Sequence, residues 1–222
     1  MSFSRELKES VWAFARQMLT DDIAHHAQGN ISLRQASSGL IAVTPSAIPY
    51  DRLQVDDIVV VDQSGAVVEG KWRPTSELPL HLAFYRAWAD VGAVVHSHAP
   101  YATLFGVIGE PLPMLLTEAA ACLGGVVVPV APYCRPGSEE LADSAVRIAD
   151  RGFAVILANH GLVTVGPDLG AAYDATLAVE TTARVAWMAR AMGATANAID
   201  PAEVAAMRAA YITSYHPEKR TI

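Results

Sequence analysis

The stretch Phe153-Ala-Val-Ile-Leu-Ala-Asn-His-Gly-Leu-Val-Thr-Val165 decides the fold, because it reads as two β-strands joined by a short turn. Phe153 to Ala158 is a continuous apolar run of strand length, and Gly161 to Val165 is a second run rich in β-branched residues. Asn159 and His160 separate the two runs, so the sequence predicts that they pair across a tight connection.

Further short strands and helices lie outside this pair, and strands outnumber complete β-α-β units. We therefore expect an α/β fold in which helices are layered on a mixed or antiparallel sheet. The other predicted strands cover residues 31–34, 40–43, 57–61, 66–68, 92–98 and 126–130. The predicted helices cover residues 4–20 with Ser4 as the cap, 75–88, 137–150 and 169–192, with a short one from about residue 201. No repeat or linker divides the chain, so residues 1–222 are predicted to form a single domain.

The composition favours a globular protein and argues against non-specific binding of nucleic acid or membranes. Apolar residues make up 52% of the 222 residues, and the net charge of −7 offers no basic surface for nucleic acid or anionic lipid. A small anionic substrate remains compatible, because a local site can bind an anion against the overall charge. Cys122 and Cys134 form no disulfide framework, the charged N-terminal segment lacks the apolar core of a signal peptide, and no apolar run approaches the length of a membrane span. We therefore expect a cytoplasmic protein with no membrane partner.

Two histidine motifs suggest a metal site. In His96-Ser97-His98 the two imidazoles are two residues apart, so in a strand they point to the same side. His160 stands at the end of an apolar strand, where functional residues often emerge from a sheet. Three histidines leave an open coordination position, as in catalytic zinc sites. Each motif alone is equally compatible with polar residues that end a strand or cap a turn.

Three further segments could bind an anion. Thr75-Ser76-Glu77 offers two hydroxyls and a carboxylate where a helix is predicted to begin, although an ordinary helix cap would look the same. Gln28-Gly29-Asn30 and Thr44-Pro45-Ser46-Ala47 combine tight turns with polar groups, and either could simply be a turn. His81, one helical turn after Glu77, is more typical of packing than of metal ligation.

The order of these motifs along the chain resembles that of the class II aldolase/adducin family. The resemblance runs from about residue 5 to residue 190 and is strongest to the bacterial fuculose-phosphate aldolases. It rests on Gly29-Asn30-Ile31-Ser32, Thr44-Pro45-Ser46, Pro74-Thr75-Ser76-Glu77, His96-Ser97-His98-Ala99 and Asn159-His160-Gly161-Leu162. It implies a three-layer α/β/α domain with a largely antiparallel central sheet, and a homotetramer with sites between subunits. The apolar segment Leu112 to Leu116 is a candidate subunit contact, or ordinary core.

The resemblance also assigns roles to residues. It implies zinc ligation by His96, His98 and His160, with cobalt, manganese and nickel as metals that would suit the same ligands. It makes Glu77 the residue that transfers a proton, whereas the related pentose-phosphate epimerases carry aspartate at that position. The implied substrate-binding residues, which hold the phosphate in the aldolases, are Asn30, Ser46, Thr75 and Ser76, with Ala47 where glycine is usual.

Two segments depart from the family pattern. The fuculose-type aldolases use a tyrosine from a neighbouring subunit in the segment that here reads Pro113 to Glu118, where Thr117 or Glu118 takes its place. Tyr211 and Tyr215 near the end of the chain are the candidate replacements. His25 and His26 stand where small residues are expected, and they would suit a substrate that carries a carboxylate, for example an aromatic acid.

The predicted function is a zinc-dependent lyase that cleaves a C–C bond of a small hydroxycarbonyl substrate, as in a sugar-phosphate retro-aldol reaction. Zinc bound to adjacent substrate oxygens would stabilise the enediolate left when the bond breaks. Loss of carbon dioxide needs the same stabilisation, so a metal-dependent decarboxylase of a hydroxy or keto acid is the alternative. A sugar-phosphate dehydratase ranks third, followed by a non-catalytic adducin-like domain, which would have no need for three clustered imidazoles.

Overall fold

The computed structural model of the protein describes residues 5–215, with side chains up to residue 213, so the predicted cap at Ser4 lies outside the described residues. The helices in this range are α1 (Arg5–Thr20), α2 (Leu78–Ala87), α3 (Pro100–Ile108), α4 (Thr117–Leu123), α5 (Glu139–Ala149), α6 (Leu169–Ala191) and α7 (Pro201–Ala210). The strands are β1 (Asn30–Arg34), β2 (Ile41–Val43), β3 (Val59–Val61), β4 (Val67–Glu69), β5 (Ala93–Ser97), β6 (Leu112–Pro113), β7 (Val127–Val128), β8 (Val130–Ala131), β9 (Ala154–Leu157) and β10 (Gly161–Gly166).

A largely antiparallel sheet forms the centre of the molecule, as predicted. Within the described residues its strand order is β4-β3-β2-β1-β5-β10-β9-β8, and each neighbouring pair is antiparallel except β8 with β9. The predicted pairing of β9 with β10 is confirmed, with Leu157 opposite Gly161 across the turn. This pairing and that of β5 with β10 place the chain segments around His96 and His160 at one end of the sheet.

Helices cover both faces of this sheet, which confirms the predicted three-layer α/β/α arrangement. One layer contains α1, α3, α4 and α6, with α7 packed on α4, whereas α2 and α5 pack together on the other face. Alternation along the strands supplies both cores, since Val95 belongs to the first apolar cluster and Val94 to the second. The sheet is therefore buried on both sides, and polar residues within it need partners from a helix or from neighbouring strands.

Several elements differ from the prediction. The strand expected over residues 126–130 is divided, because Pro129 has no N–H group with which to continue a ladder. β7 pairs with β6 in a separate two-stranded sheet, whereas β8 pairs with β9. The short helices α3 and α4 were not predicted. Leu112 and Met114 are buried in the core. For these two residues of the apolar segment Leu112 to Leu116, burial favours a role in the core over a role in a subunit contact.

No helix among the described residues is long and apolar enough to cross a membrane. The assignment of residues 1–222 to a single domain stays a prediction.

Candidate metal centre

The three predicted metal ligands lie together at one end of the sheet. His96 is in β5, His98 follows that strand, and His160 precedes β10. Nitrogen atoms of the three rings lie within 4.8 Å of one another, and the ring centroids are 4.8–5.3 Å apart. This spacing allows one ion to be shared by all three imidazoles.

The local backbone explains why this turn can approach the His96 strand so closely. A Cβ atom at Gly161 would lie 2.4 Å from the carbonyl oxygen of Ser97, so any larger residue would push the two strands apart. Asn159 has a φ of 57°, in the left-handed region that asparagine tolerates better than most residues. The Asn-His-Gly sequence therefore suits the close turn that presents His160.

Glu77 faces the histidine cluster from the start of α2. Its Oε2 atom lies 2.9 Å from His96 Nε2, and its Oε1 atom lies 3.4 Å from His160 Nε2. Glu77 is the residue before the first turn of α2, but its side chain makes no capping hydrogen bond. The Glu77 carboxylate thus contacts the histidine cluster and does not cap α2.

Burial and mutual charge determine the ionisation of the cluster. Burial, and then the positive charge of His96, lower the pKa of His98 and of His160 to about 4, so both rings are neutral near pH 7. Burial opposes charge on His96 and Glu77 as well. Their ion pair overcomes this effect, raising the pKa of His96 and lowering that of Glu77 well below its usual range.

The donor atoms of this cluster fit a divalent metal ion. His96 Nδ1 donates to the carbonyl oxygen of Leu162 at 3.0 Å, which leaves Nε2 directed toward the cluster. His96 Nε2, His160 Nδ1 and Glu77 Oε1 are buried and make no aligned hydrogen bond within the described part of the chain. Unsatisfied buried polar atoms are costly, and a metal ion bound by the ring nitrogens would satisfy His96 Nε2.

The segments predicted to bind the substrate anion lie beside this cluster. Thr75 N donates to the carbonyl oxygen of Thr44 at 3.0 Å, and Ser46 N donates to that of Arg73 at 2.9 Å. The Thr44 hydroxyl in turn accepts a hydrogen bond from the Ile31 amide. Hydrogen bonds therefore connect three segments that are distant in sequence.

The four predicted substrate-binding residues divide into two pairs. Asn30 and Thr75 are buried and hold Glu77, since Asn30 Nδ2 donates to Glu77 Oε2 at 3.1 Å and Thr75 Oγ1 accepts from Glu77 N at 3.2 Å. Ser46 is half-buried and Ser76 is exposed, so these two hydroxyls can be reached by a ligand.

Ala47 adopts a φ of 61° beside Ser46. This left-handed conformation explains in physical terms why glycine suits the position.

Other candidate residues lie outside the cluster. His25 and His26 are exposed in the loop before β1, and His25 is near enough to His98 to contribute to the lowering of its pKa. Glu118 and Tyr211 line a separate groove between α4, α6 and the end of α7. The structure does not bring these two residues to the histidine cluster of the same chain, and the Tyr215 side chain lies outside the described residues.

Two buried residues with no predicted role, Ser32 and Tyr85, are connected to this site. Ser32 Oγ lies 2.7 Å from both His81 Nδ1 and the Tyr85 hydroxyl. Ser32 is two residues after Asn30 on β1, and Tyr85 is four residues after His81 on α2. Those spacings place Ser32 on the same face of β1 as Asn30, and Tyr85 on the same face of α2 as His81. The spacings could therefore have indicated both residues from the sequence.

Comparison with known proteins agrees with this geometry. A family model described as the class II aldolase and adducin N-terminal domain matches residues 9–187. The chain is 34% identical over 187 residues to the 5-deoxy-D-ribulose 1-phosphate aldolase of Bacillus thuringiensis serovar kurstaki, covering 84% of this chain and 86% of that protein. It is 32% identical over 210 residues to an L-ribulose-5-phosphate 4-epimerase of Salmonella paratyphi B, covering 88% and 90% of the two chains.

A solved structure has the same architecture throughout. The structure of an L-fuculose 1-phosphate aldolase superimposes with a TM-score of 0.90 at 31% sequence identity, covering 95% of this chain and 98% of that chain. The family match spans most of the chain, and both the relatives and the fold agree with it. The chain therefore belongs to the class II aldolase and adducin family, as a class II aldolase-like enzyme.

Proposed function

We propose that the protein is a metal-dependent lyase that cleaves a C–C bond of a small phosphorylated hydroxycarbonyl compound in a retro-aldol reaction. The observation that carries the proposal is the buried cluster of His96, His98 and His160 with the Glu77 carboxylate against it. The aldolases among the compared proteins act on sugar phosphates, according to their names, which supports the substrate class.

His96, His98 and His160 would hold the metal, and zinc is our first choice because neutral imidazoles suit it, although cobalt, manganese and nickel also accept such ligands. The metal would supply a Lewis acid that stabilises the negative charge left on the substrate when the C–C bond breaks. The neutrality of His98 and His160 near pH 7 favours ligation, since a protonated imidazole cannot bind a metal.

Glu77 would transfer the proton that the reaction requires. Oε2 is held by Asn30, whereas Oε1 makes no hydrogen bond within the described part of the chain, so Oε1 is the atom that we assign to proton transfer. The low pKa of Glu77 keeps its carboxylate ionised at neutral pH, which is the form that can accept a proton.

Ser46 and Ser76 would bind the phosphate through their hydroxyls and nearby amides, and Asn30 and Thr75 would complete the substrate pocket while holding Glu77. A pocket built from hydroxyls and amides also accepts a carboxylate. The exposed His25 near His98 favours such a substrate, so decarboxylation of a hydroxy or keto acid is the second candidate.

A scaffold without catalysis is disfavoured on energetic grounds. It would bury three clustered imidazoles and a carboxylate, with His160 Nδ1 and Glu77 Oε1 lacking a hydrogen bond within the described residues, and gain nothing in return. A sugar-phosphate dehydratase needs a comparable metal site and remains a third candidate, to be separated by product analysis.

We further propose a cytoplasmic homotetramer with sites at subunit contacts. Exposed apolar residues on the outer face of α6, Trp187 and Met188 among them, offer a surface for association. Glu118 and Tyr211 lie away from the cluster of their own chain, in the groove between α4, α6 and the end of α7. Light scattering that gives a monomer at micromolar concentration would contradict this assembly.

The test of function is elemental analysis of protein purified without added metal, followed by assays with a panel of sugar phosphates and hydroxy acids. We expect stoichiometric divalent metal, loss of activity with a chelator, and release of an aldehyde, whereas carbon dioxide would select the decarboxylase. His98→Ala should lose the metal, and His26→Ala, a matched change at an exposed histidine, should keep it. A metal-free chain with full activity would overturn the proposal.

A further inference from the structure

A series of buried hydrogen bonds leads away from Glu77 beneath α2. Glu77 Oε2 is 3.1 Å from Asn30 Nδ2, and Asn30 Oδ1 is 2.5 Å from His81 Nε2. His81 Nδ1 is 2.7 Å from Ser32 Oγ, and the same Ser32 oxygen is 2.7 Å from the Tyr85 hydroxyl. All five residues are buried, and His81 and Ser32 have no exposed surface.

Regular secondary structure brings these side chains together. Asn30 and Ser32 are alternate residues of β1 and so point to the same face of the sheet. His81 and Tyr85 are one helical turn apart on α2, on the side of the helix that packs against that face. The series is therefore fixed by two rigid elements and contains no loop side chain between Asn30 and Tyr85.

The chemistry of the groups gives the first bonds a direction. An ionised carboxylate can only accept hydrogen bonds, so the amide nitrogen of Asn30 must face Glu77. The Asn30 carbonyl oxygen then faces His81 and can only accept, so His81 must carry its proton on Nε2.

The remaining bonds follow from the neutrality of His81. Burial, and then the charge of His96, lower the pKa of His81 to about 3, so the ring carries a single proton near pH 7. With that proton on Nε2, Nδ1 accepts from the Ser32 hydroxyl. Ser32 has no second proton, so its oxygen accepts from Tyr85, which burial keeps protonated by raising its pKa.

We propose that His81, Ser32 and Tyr85 are positioning residues that act through Asn30: their hydrogen bonds all donate toward Glu77 and hold its carboxylate in one orientation against the histidine cluster. Without the proton on His81 Nε2, the Asn30 amide could rotate by half a turn and present its oxygen to the carboxylate, which would repel it. The catalytic part of this inference rests on the proposed function, in which Glu77 transfers a proton. The tautomer of His81 does not depend on it.

The first test compares two buried tyrosines. Tyr85→Phe removes the hydroxyl at the far end of the series, and Tyr173→Phe removes a buried hydroxyl that donates to Asp21 at 2.6 Å with no connection to Glu77. We expect Tyr85→Phe to lower kcat about 2–10-fold, the scale of one hydrogen bond, with KM unchanged, and Tyr173→Phe to leave both constants unchanged. Equal effects of the two variants on kcat, or an effect of Tyr85→Phe on KM alone, would overturn the proposal.

The second test separates the donor at His81 from the size of the ring. Gln places an N–H group near the position of Nε2, so His81→Gln should keep kcat within about threefold, whereas His81→Phe should lower it about 10–100-fold, as is typical for residues that orient a metal site. Equal losses in the two variants would show that only packing matters.

The third test needs no substrate and is read from the wild-type protein, with variants used only to assign the signals. Long-range ¹H–¹⁵N correlation spectra of the metal-loaded, ¹⁵N-labelled wild-type protein report the tautomer of each histidine, and the signals absent from the His81→Gln spectrum, or those that move in Tyr85→Phe, identify His81. We expect the neutral Nε2–H form near pH 7. The Nδ1–H form or a doubly protonated ring would overturn the proposal, whereas failure of the wild-type protein to cleave any substrate would overturn the proposed function alone.

Discussion

The two faces of the central sheet differ in what they bury. Along β1, Ile31 and Leu33 enter the large apolar cluster under α1 and α6, whereas Asn30 and Ser32 meet polar side chains of α2 on the opposite face. On β5, Val95 belongs to the first face, and His96 lies on the second, directed at Glu77. The same strands thus supply apolar core on one side and a polar site on the other.

This difference shows where the fold obtains stability and where it obtains function. Buried apolar side chains stabilise in proportion to their area, whereas buried polar groups stabilise little and are costly if a partner is missing. A polar series such as the one beneath α2 persists only when each member is satisfied, which makes it rigid. The second face also has an apolar cluster, which includes Val94. We therefore expect changes among the apolar residues of the first face to alter stability, and changes in the polar series beneath α2 to alter turnover.

The largest effect is expected from Glu77→Gln. The change keeps the size of the side chain but removes the group that accepts a proton, so turnover should fall by about 10²–10⁴, or roughly 3–5 kcal/mol of barrier. Metal content and the thermal midpoint should change little. Glu110→Gln, at an exposed ion pair with Arg190, is the control and should retain full turnover. A metal-loaded Glu77→Gln enzyme with more than about a tenth of normal turnover would show that this carboxylate is not the acid/base.

On the opposite face, Ile156→Ala should act on stability alone. Ile156 is fully buried in the large cluster, so its truncation leaves a cavity and should cost about 2–5 kcal/mol of the free energy of unfolding. Urea denaturation measures the loss, and kcat per folded molecule should stay normal. Val68→Ala, on the exposed edge strand β4, should cost less than about 0.5 kcal/mol. A fall in kcat at full metal loading would break the proposed division between the two faces.

The sequence was more informative about the first face than about the second. Apolar periodicity predicted most strands and the long helix α6, because such patterns depend only on which residues avoid water. The short helices α3 and α4 were missed, since runs of seven to nine residues carry few turns of pattern. The division of residues 126–130 could have been expected from Pro129.

The candidate site was predictable as a set of residues but not as a geometry. The order of motifs indicated His96, His98, His160 and Glu77, and the structure brings these four side chains together. It did not indicate that Asn30 is held by His81, because that contact joins a strand to a helix about 50 residues later. Pairings of this kind depend on the register of α2 on the sheet, which periodicity alone leaves open.

A smaller effect is expected from His81, which lies on the second face and should make the free energy of unfolding depend on pH. The pKa of His81 is about 3 in the folded protein, against about 6.5 in an unfolded chain. Between these values the unfolded chain binds a proton that the folded protein excludes, so stability falls as the pH is lowered from about 6.5. Because His81→Gln lacks this group, wild-type protein should lose more stability than the variant on acidification, by up to about 1.4 kcal/mol per pH unit. Urea denaturation of both metal-free proteins between pH 7 and 5 measures the difference, and parallel curves would mean that His81 is not buried in its neutral form.

The smallest effect concerns backbone strain at Ala47, which lies beside the candidate substrate-binding residue Ser46. Among the described residues, the non-glycine residues with positive φ are Asp22, His26, Ala47, Asp150, Arg151 and Asn159, and Asn159 directly precedes the candidate ligand His160. Ala47 has no side-chain hydrogen bond to compensate for this conformation, which costs alanine about 1–2 kcal/mol. Glycine removes that cost but adds about 0.4–1 kcal/mol of entropy to the unfolded chain, so Ala47→Gly should stabilise by up to about 1.6 kcal/mol.

Differential scanning calorimetry can resolve this change, because 1 kcal/mol moves the midpoint of a chain of this size by about 2–4 °C. Ala66→Gly is the matched control: Ala66 is also an exposed loop residue, directly before β4, but it is not among the residues with positive φ. Without strain to relieve, that glycine should only add entropy to the unfolded chain and lower the midpoint. The two substitutions are therefore expected to differ in sign. A lower midpoint in both variants would mean that the backbone at Ala47 is not strained.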